Sequence, residues 1–102
     1  MKNDKIGRII IRVTVNGCGL PLDGAVIHID GNTYKIPKDC DGFSYPIPLF
    51  EAAEKGITRR FNVRAEHEGF NDLICERVPV TSGYLTVWNM PLSPKSKKVK
   101  KI

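Results

Sequence analysis

Residues 8–15 read Arg-Ile-Ile-Ile-Arg-Val-Thr-Val, and this stretch decides the fold. Ile9, Ile11, Val13 and Val15 fall on one side of an extended chain, Arg8, Arg12 and Thr14 on the other, with Ile10 the exception. A period of two marks a strand that has one face in a core and the other in water. Asn16-Gly17-Cys18-Gly19 ends it, because two glycines in four residues make a loop. Pro21-Leu22-Asp23-Gly24 is a second turn. It leads into a strand in which Ala25, Ile27 and Ile29 alternate with Val26, His28 and Asp30. Gly31-Asn32 has glycine first, as a type II′ hairpin turn requires, and opens a third strand over residues 33–36. Pro37 ends that strand, since proline donates nothing to a ladder.

Further along, Lys38-Asp39-Cys40-Asp41-Gly42 is a polar turn. In residues 43–49, Pro46 and Pro48 stand at alternate positions, which places this segment on a sheet edge with one side's amides turned away from pairing. Residues 49–55, Leu-Phe-Glu-Ala-Ala-Glu-Lys, are the only stretch with helical propensity, and Gly56 sits where a helix would stop. One short helix near residues 50–55 is therefore expected. Residues 57–68 alternate again, with Phe61, Val63 and Ala65 inward and Arg60, Asn62, Arg64 and Glu66 outward. Turns at Gly69-Phe70-Asn71-Asp72 and Thr81-Ser82-Gly83 separate strands over 73–80 and 84–92. In the last strand Trp88, Met90 and Leu92 are assigned to the core in preference to Leu85 and Val87. The chain is thus all-β, with about seven strands and a turn signal roughly every ten residues, the pattern of an antiparallel β-sandwich.

A chain of 102 residues with 41% hydrophobic and 26% charged side chains has room for one domain and one core. The longest apolar run, residues 9–11, is far short of the ~20 residues that span a bilayer, so no membrane span is expected. Met1-Lys2-Asn3-Asp4-Lys5 leads into alternating residues and not a continuous apolar segment. No cleavable secretory signal is expected, which points to the cytoplasm, to a particle, or to release by lysis. Cys18, Cys40 and Cys75 are odd in number and widely spaced, without a CxxC pair, so neither a zinc ribbon nor a redox pair is supported. They read as free thiols, with a Cys18–Cys40 bridge as the alternative.

The net charge of +5 has one location. Residues 95–102 hold five lysines and no acid, and elsewhere eleven bases balance eleven acids. The reading is a neutral β-sandwich domain, 1–94, and a basic tail, 95–102. Lys95, Lys97, Lys98, Lys100 and Lys101 suit an anionic surface or a phosphate backbone, held by counterion release without sequence specificity. Nucleic acid is therefore a partner only through the tail.

Pro21, Gly24 and Ala25 form a Pro-x-x-Gly-Ala entry to a short apolar strand, followed by Asp41-Gly42. Val63, Ala65, Glu66, Gly69 and Phe70 then read Val-x-Ala-Glu-x-x-Gly-Phe, and the last strand closes near Met90-Pro91-Leu92. Over roughly residues 7–92 this pattern resembles carboxypeptidase-regulatory-like domains. Asn89-Met90-Pro91-Leu92 is similar to the close of the leading domain of spore-cortex-lytic and other peptidoglycan-associated proteins of spore-forming bacteria. The resemblance implies a transthyretin-like (prealbumin-like), Greek-key sandwich. It also implies an accessory role beside peptidases, transporters or cell-wall enzymes, with peptidoglycan as one partner. The matching residues are turn and core residues, so they speak to fold before function. The fold's hydrolase of hydroxyisourate ends in Tyr-Arg-Gly-Ser, which this chain lacks.

No catalytic, cofactor or metal site is expected. Nucleophilic catalysis needs an oriented base. His28 falls on an outward face and His67 among acids beside a turn, and neither a GxSxG elbow nor an HExxH helix occurs. Asp39-x-Asp41-Gly42 is like the start of a calcium loop, but Leu49 and Phe50 stand where the bidentate acid belongs, so the aspartates read as a tight turn. An internal isopeptide bond would pair a lysine with Asn89 beside Glu66, yet no lysine faces inward on 8–15. The bases Lys55, Arg59, Arg60 and Arg64 are flanked by Glu51, Glu54, Glu66 and Glu68, a balanced solvated face. The expected function is a non-enzymatic accessory or binding module for a protein or cell-wall partner. Its contact residues would be Asn16, Gly17, Leu20, Lys38, Asp39, Asp41, Phe43 and Tyr45, with the proline-bearing edge 43–49. The alternative is a structural, self-assembling subunit of a phage particle or surface appendage. A third reading is weak nucleic-acid association through the tail.

Overall fold

In a computed structural model, which describes residues 5–95, the alternating stretches become seven strands. They are β1 (Ile6–Val15), β2 (Val26–Ile29), β3 (Asn32–Lys35), β4 (Ile47–Glu51), β5 (Thr58–Glu66), β6 (Leu73–Thr81) and β7 (Leu85–Leu92). They form two sheets, ordered β4-β1-β7 and β3-β2-β5-β6. Ile9, Ile11, Val13, Met90 and Leu92 from the first sheet meet Ile27, Ile29, Phe61, Val63, Ala65, Val78 and Val80 from the second, with Ala25 just before β2, all buried. Full burial of an Ile, Leu or Val side chain contributes about 1.5–3 kcal/mol, so the alternation read from the sequence is also what holds the sheets together.

The first and last strands run parallel, from Arg8↔Leu85 to Val15↔Leu92 without a bulge, where an all-antiparallel sandwich was expected. The reason is arithmetic: every connection reverses the chain, and the six between seven strands restore the starting direction. Met90 and Leu92 are buried and Trp88 packs against the core, while Leu85 and Val87 point out, as assigned.

No helix occurs among the described residues, and the expected one near 50–55 is a strand end and a turn. A segment this short does not nucleate a helix unaided. Here Phe50 pairs with Gly7, lays its ring against that glycine and stacks on Phe61 at 5.8 Å. The β2–β3 hairpin is also one residue out of place. Ile29 pairs with Asn32, so Asp30-Gly31 is the turn, with φ of 50° and 78°, the two positive values of a type I′ turn.

Candidate functional site

β1 is the middle strand of its sheet, and β7 covers one edge of it from Arg8 to Val15. On its other edge β4 pairs only from Ile6 to Ile9. Beyond that point loops take over. Ser44 accepts the Ile11 amide on its hydroxyl at 3.0 Å and donates its own amide to the Ile11 carbonyl at 2.8 Å. The Val13 amide donates to the Gly42 carbonyl at 2.9 Å, Leu22 donates to Val13 at 3.0 Å, and Val15 donates to Leu20 at 2.8 Å. Residues 16–22 and 38–45 are thereby laid end to end along one strand.

Arg12 fixes the second of these loops. Its Nε donates to the Asp41 carbonyl at 3.0 Å, its Nη2 lies 3.3 Å from Asp41 Oδ2, and its guanidinium sits 5.0 Å over the Phe43 ring. The Asp39 amide donates to Asp23 Oδ2 at 3.2 Å, tying this loop to the turn after Leu22. Asp39 and Asp41 adopt left-handed φ of 60° and 54°, so they act here as turn residues. Asn16 joins β7's end: its amide donates to Leu92 and its side chain to Ser93 Oγ at 3.2 Å.

The eight nominated contact residues, Asn16, Gly17, Leu20, Lys38, Asp39, Asp41, Phe43 and Tyr45, all belong to the two loops that bond to this edge of β1 or to its end. Leu20 and Tyr45 are 62% and 68% exposed, large apolar side chains on backbone that hydrogen bonds hold in place. The three cysteines are free thiols. Of the tail, Lys95 is exposed and its amide donates to Gly69 at 3.0 Å; Lys97, Lys98, Lys100 and Lys101 lie outside the described residues. Asn89 is exposed and Glu66 lies on the outer face of its sheet beside His28 and Arg64, so neither points into the core where an internal isopeptide bond would form.

A polar row across the outer face of the second sheet was not anticipated. Thr33 Oγ1 lies 3.3 Å from His28 Nδ1, and His28 Nε2 lies 2.7 Å from Glu66 Oε2. Arg64 Nη1 links Glu66 at 3.3 Å to Asp72 at 3.0 Å. Hydroxyl, imidazole and carboxylate stand in the order of a catalytic triad, but Thr33 is exposed on a four-residue edge strand. The register explains the row more simply: His28 is paired with Thr33 on one side and Arg64 on the other, cross-strand neighbours on a solvated face. Only the strand register, which the sequence does not print, brings these residues together.

Beside this row lies an open depression of about 420 Å³, with His67, Glu66, Glu68, Asp72 and Lys95 on its rim. His67 turns Nε2 to the Asp23 carbonyl at 3.0 Å and Nδ1 to the Glu68 carbonyl at 2.9 Å, and packs edge-on against Phe70. Whichever ring nitrogen carries the proton donates to its carbonyl, and that bond and the Phe70 contact pin the turn that carries His67. Among the described residues no cluster of His, Cys, Asp and Glu is arranged to hold a metal.

No family model matches the chain, and no curated protein matches it.

Proposed function

We propose that the chain is a non-enzymatic accessory or binding module of transthyretin-like type that presents the loop side of β1 to a protein partner. The strand orders β4-β1-β7 and β3-β2-β5-β6, with consecutive strands crossing repeatedly between sheets, support the Greek-key part of this reading. The carboxypeptidase-regulatory-like resemblance supports the accessory role. The observation that carries it is the pairing of rigidity with exposure: Leu20 and Tyr45 face solvent from loops that Arg12, Ser44 and the β1 amides immobilise. Apolar contact groups bind best when little entropy remains to be lost. A photo-crosslinking residue at position 20 or 45, in cells expressing the chain, is expected to give one protein adduct of defined mass. The same group at Glu76, on the other sheet, should give none. Equal adducts from all three sites, or retention on purified peptidoglycan sacculi without a protein adduct, would overturn the reading.

A second reading, a structural subunit of a larger assembly, is favoured by a different feature, the open edge of β7.

A further inference from the structure

The two sheets have four edges, and three are blunted. β3 is four residues long and is followed by Pro37. β4 carries Pro48 and is preceded by Pro46. β6 carries Glu76, Pro79 and a bulge at which Arg77 takes a φ of 59°. Short length, proline, charge and bulges are the devices that stop an edge from pairing with another chain. β7 has none of them until Pro91. It runs eight residues in unbroken register, and residues 81–94 contain no charged side chain.

The Arg8 amide donates to Tyr84 and the Asn16 amide to Leu92, so the even-numbered residues of this strand face β1. Leu85, Val87 and Asn89 then turn their amides and carbonyls outward, and Pro91 offers only a carbonyl. We infer that this edge pairs antiparallel with the same edge of a second copy, about a two-fold axis at Val87, into one six-stranded sheet. In that register Val87 meets Val87 and Leu85 meets Asn89 of the second copy, every outward amide finds a carbonyl, and Pro91 falls beyond the pairing. An axis at Asn89 would set Pro91, which has no amide hydrogen, opposite Val87. An axis at Leu85 would call on Gly83, whose amide is already given to Ile6 at 2.9 Å.

The side chains favour the same partner. Leu85 and Val87 are 50% and 59% exposed on the outer face, and Val87 is the register neighbour of Ile10, the residue that broke the alternation of β1. Two copies continue the row as Ile10, Val87, Val87, Ile10. A strand that meets itself sets a charge on the axis directly against its own kind, which costs stability. A strand without charge avoids this, and it also lacks the charges that would steer an unlike partner. One strand from each copy makes a joint at the small end of protein interfaces, so the dimer is concentration-dependent.

This deepens the assembly reading and is independent of the loop surface, which lies along the opposite edge of β1. Light scattering on the full chain, from low micromolar to near millimolar, should show monomer passing to dimer. Val87→Lys opposes two ammonium groups at the axis, and Val87→Pro removes both central hydrogen bonds. Each should weaken the dimer at least about tenfold while the circular dichroism and crosslinking from position 20 stay unchanged. In a chain with Cys18, Cys40 and Cys75 replaced by serine, Val87→Cys should form a disulfide between copies, because directly paired residues lie ~5.5 Å apart. Leu85→Cys should not, its counterpart being ~13 Å along the strand. A monomer throughout, whether the edge stays open or residues 96–102 cover it, overturns the inference. So does a dimer indifferent to Val87→Lys, or equal crosslinking from positions 85 and 87.

Discussion

Gly42→Ala tests whether the loop side of β1 is as rigid as its hydrogen bonds indicate. Gly42 holds a φ of +83°, and a Cβ built there would lie 2.7 Å from the Val13 carbonyl oxygen and 3.1 Å from Pro21 Cβ. The left-handed backbone alone costs an alanine about 1–2 kcal/mol. The contact adds more, because what it meets is the backbone of β1 and not a side chain that can swing away. Relief requires moving Gly42 from Val13, against the 2.9 Å bond between them, or Val13 from Leu22, against the 3.0 Å bond there. Losing one or both costs about 0.5–1.5 kcal/mol each, for a total of about 1.5–5 kcal/mol. Gly31→Ala is the matched comparison: its φ is +78° and nothing lies within 4 Å, so only the conformational part remains. Urea unfolding with unchanged m-values should place Gly42→Ala below Gly31→Ala by about 1–3 kcal/mol. In a domain of this size that is a difference in Tm of roughly 5–15 °C. If the two variants agree within about 0.5 kcal/mol, near the usual scatter of neutral substitutions, the loop yields freely and the preorganisation argument fails.

Ser82 is fully buried; its hydroxyl donates to the Glu54 carbonyl at 2.7 Å and accepts the Ile57 amide at 2.9 Å. Ser82→Ala strands both backbone groups and should cost about 2–3 kcal/mol by chemical denaturation, and a loss below about 0.5 kcal/mol would mean that water replaces it. Arg12→Ala removes a part-exposed ion pair and a ring contact and should cost about 1–2 kcal/mol. Arg12→Lys, lacking the planar fork, should recover less than half of that on the same curves. Asn62 Oδ1 accepts the Arg77 amide across the β6 bulge at 3.0 Å. Asn62→Ala is expected to lower stability by about 1 kcal/mol and to speed hydrogen exchange at Arg77, and exchange that does not change would assign that amide another acceptor.

Side chains within a strand were legible because period two is a property of neighbours. Ile9, Ile11 and Val13, Ala25, Ile27 and Ile29, and Phe61, Val63 and Ala65 all went to the core as the alternation required. What was not legible depends on pairing at a distance. Phe50 is in a strand because Gly7, more than forty residues earlier, leaves room for its ring. Asp30 and not Asn32 enters the hairpin turn, with positive φ at both Asp30 and Gly31. Ile29 would be buried with the turn in either place, so the alternation could not decide between them. The candidate loops could be nominated as glycine- and aspartate-rich turns. Their convergence could not, since it rests on β4 releasing the edge of β1 after Ile9. Ser82 read as an ordinary turn residue, and nothing local marks it as the tie between two loops.

The parallel pairing of β1 with β7 has a mechanical consequence. The chain enters β1 at one end of the sandwich and leaves β7 at the other, with the two strands lying side by side over eight paired residues. A pull on the two ends therefore acts along the strands in opposite senses. It loads the whole ladder in shear at once, whereas an antiparallel pair pulled from its ends opens bond by bond. The strands that close the sandwich are thus also those best placed to bear tension along its long axis.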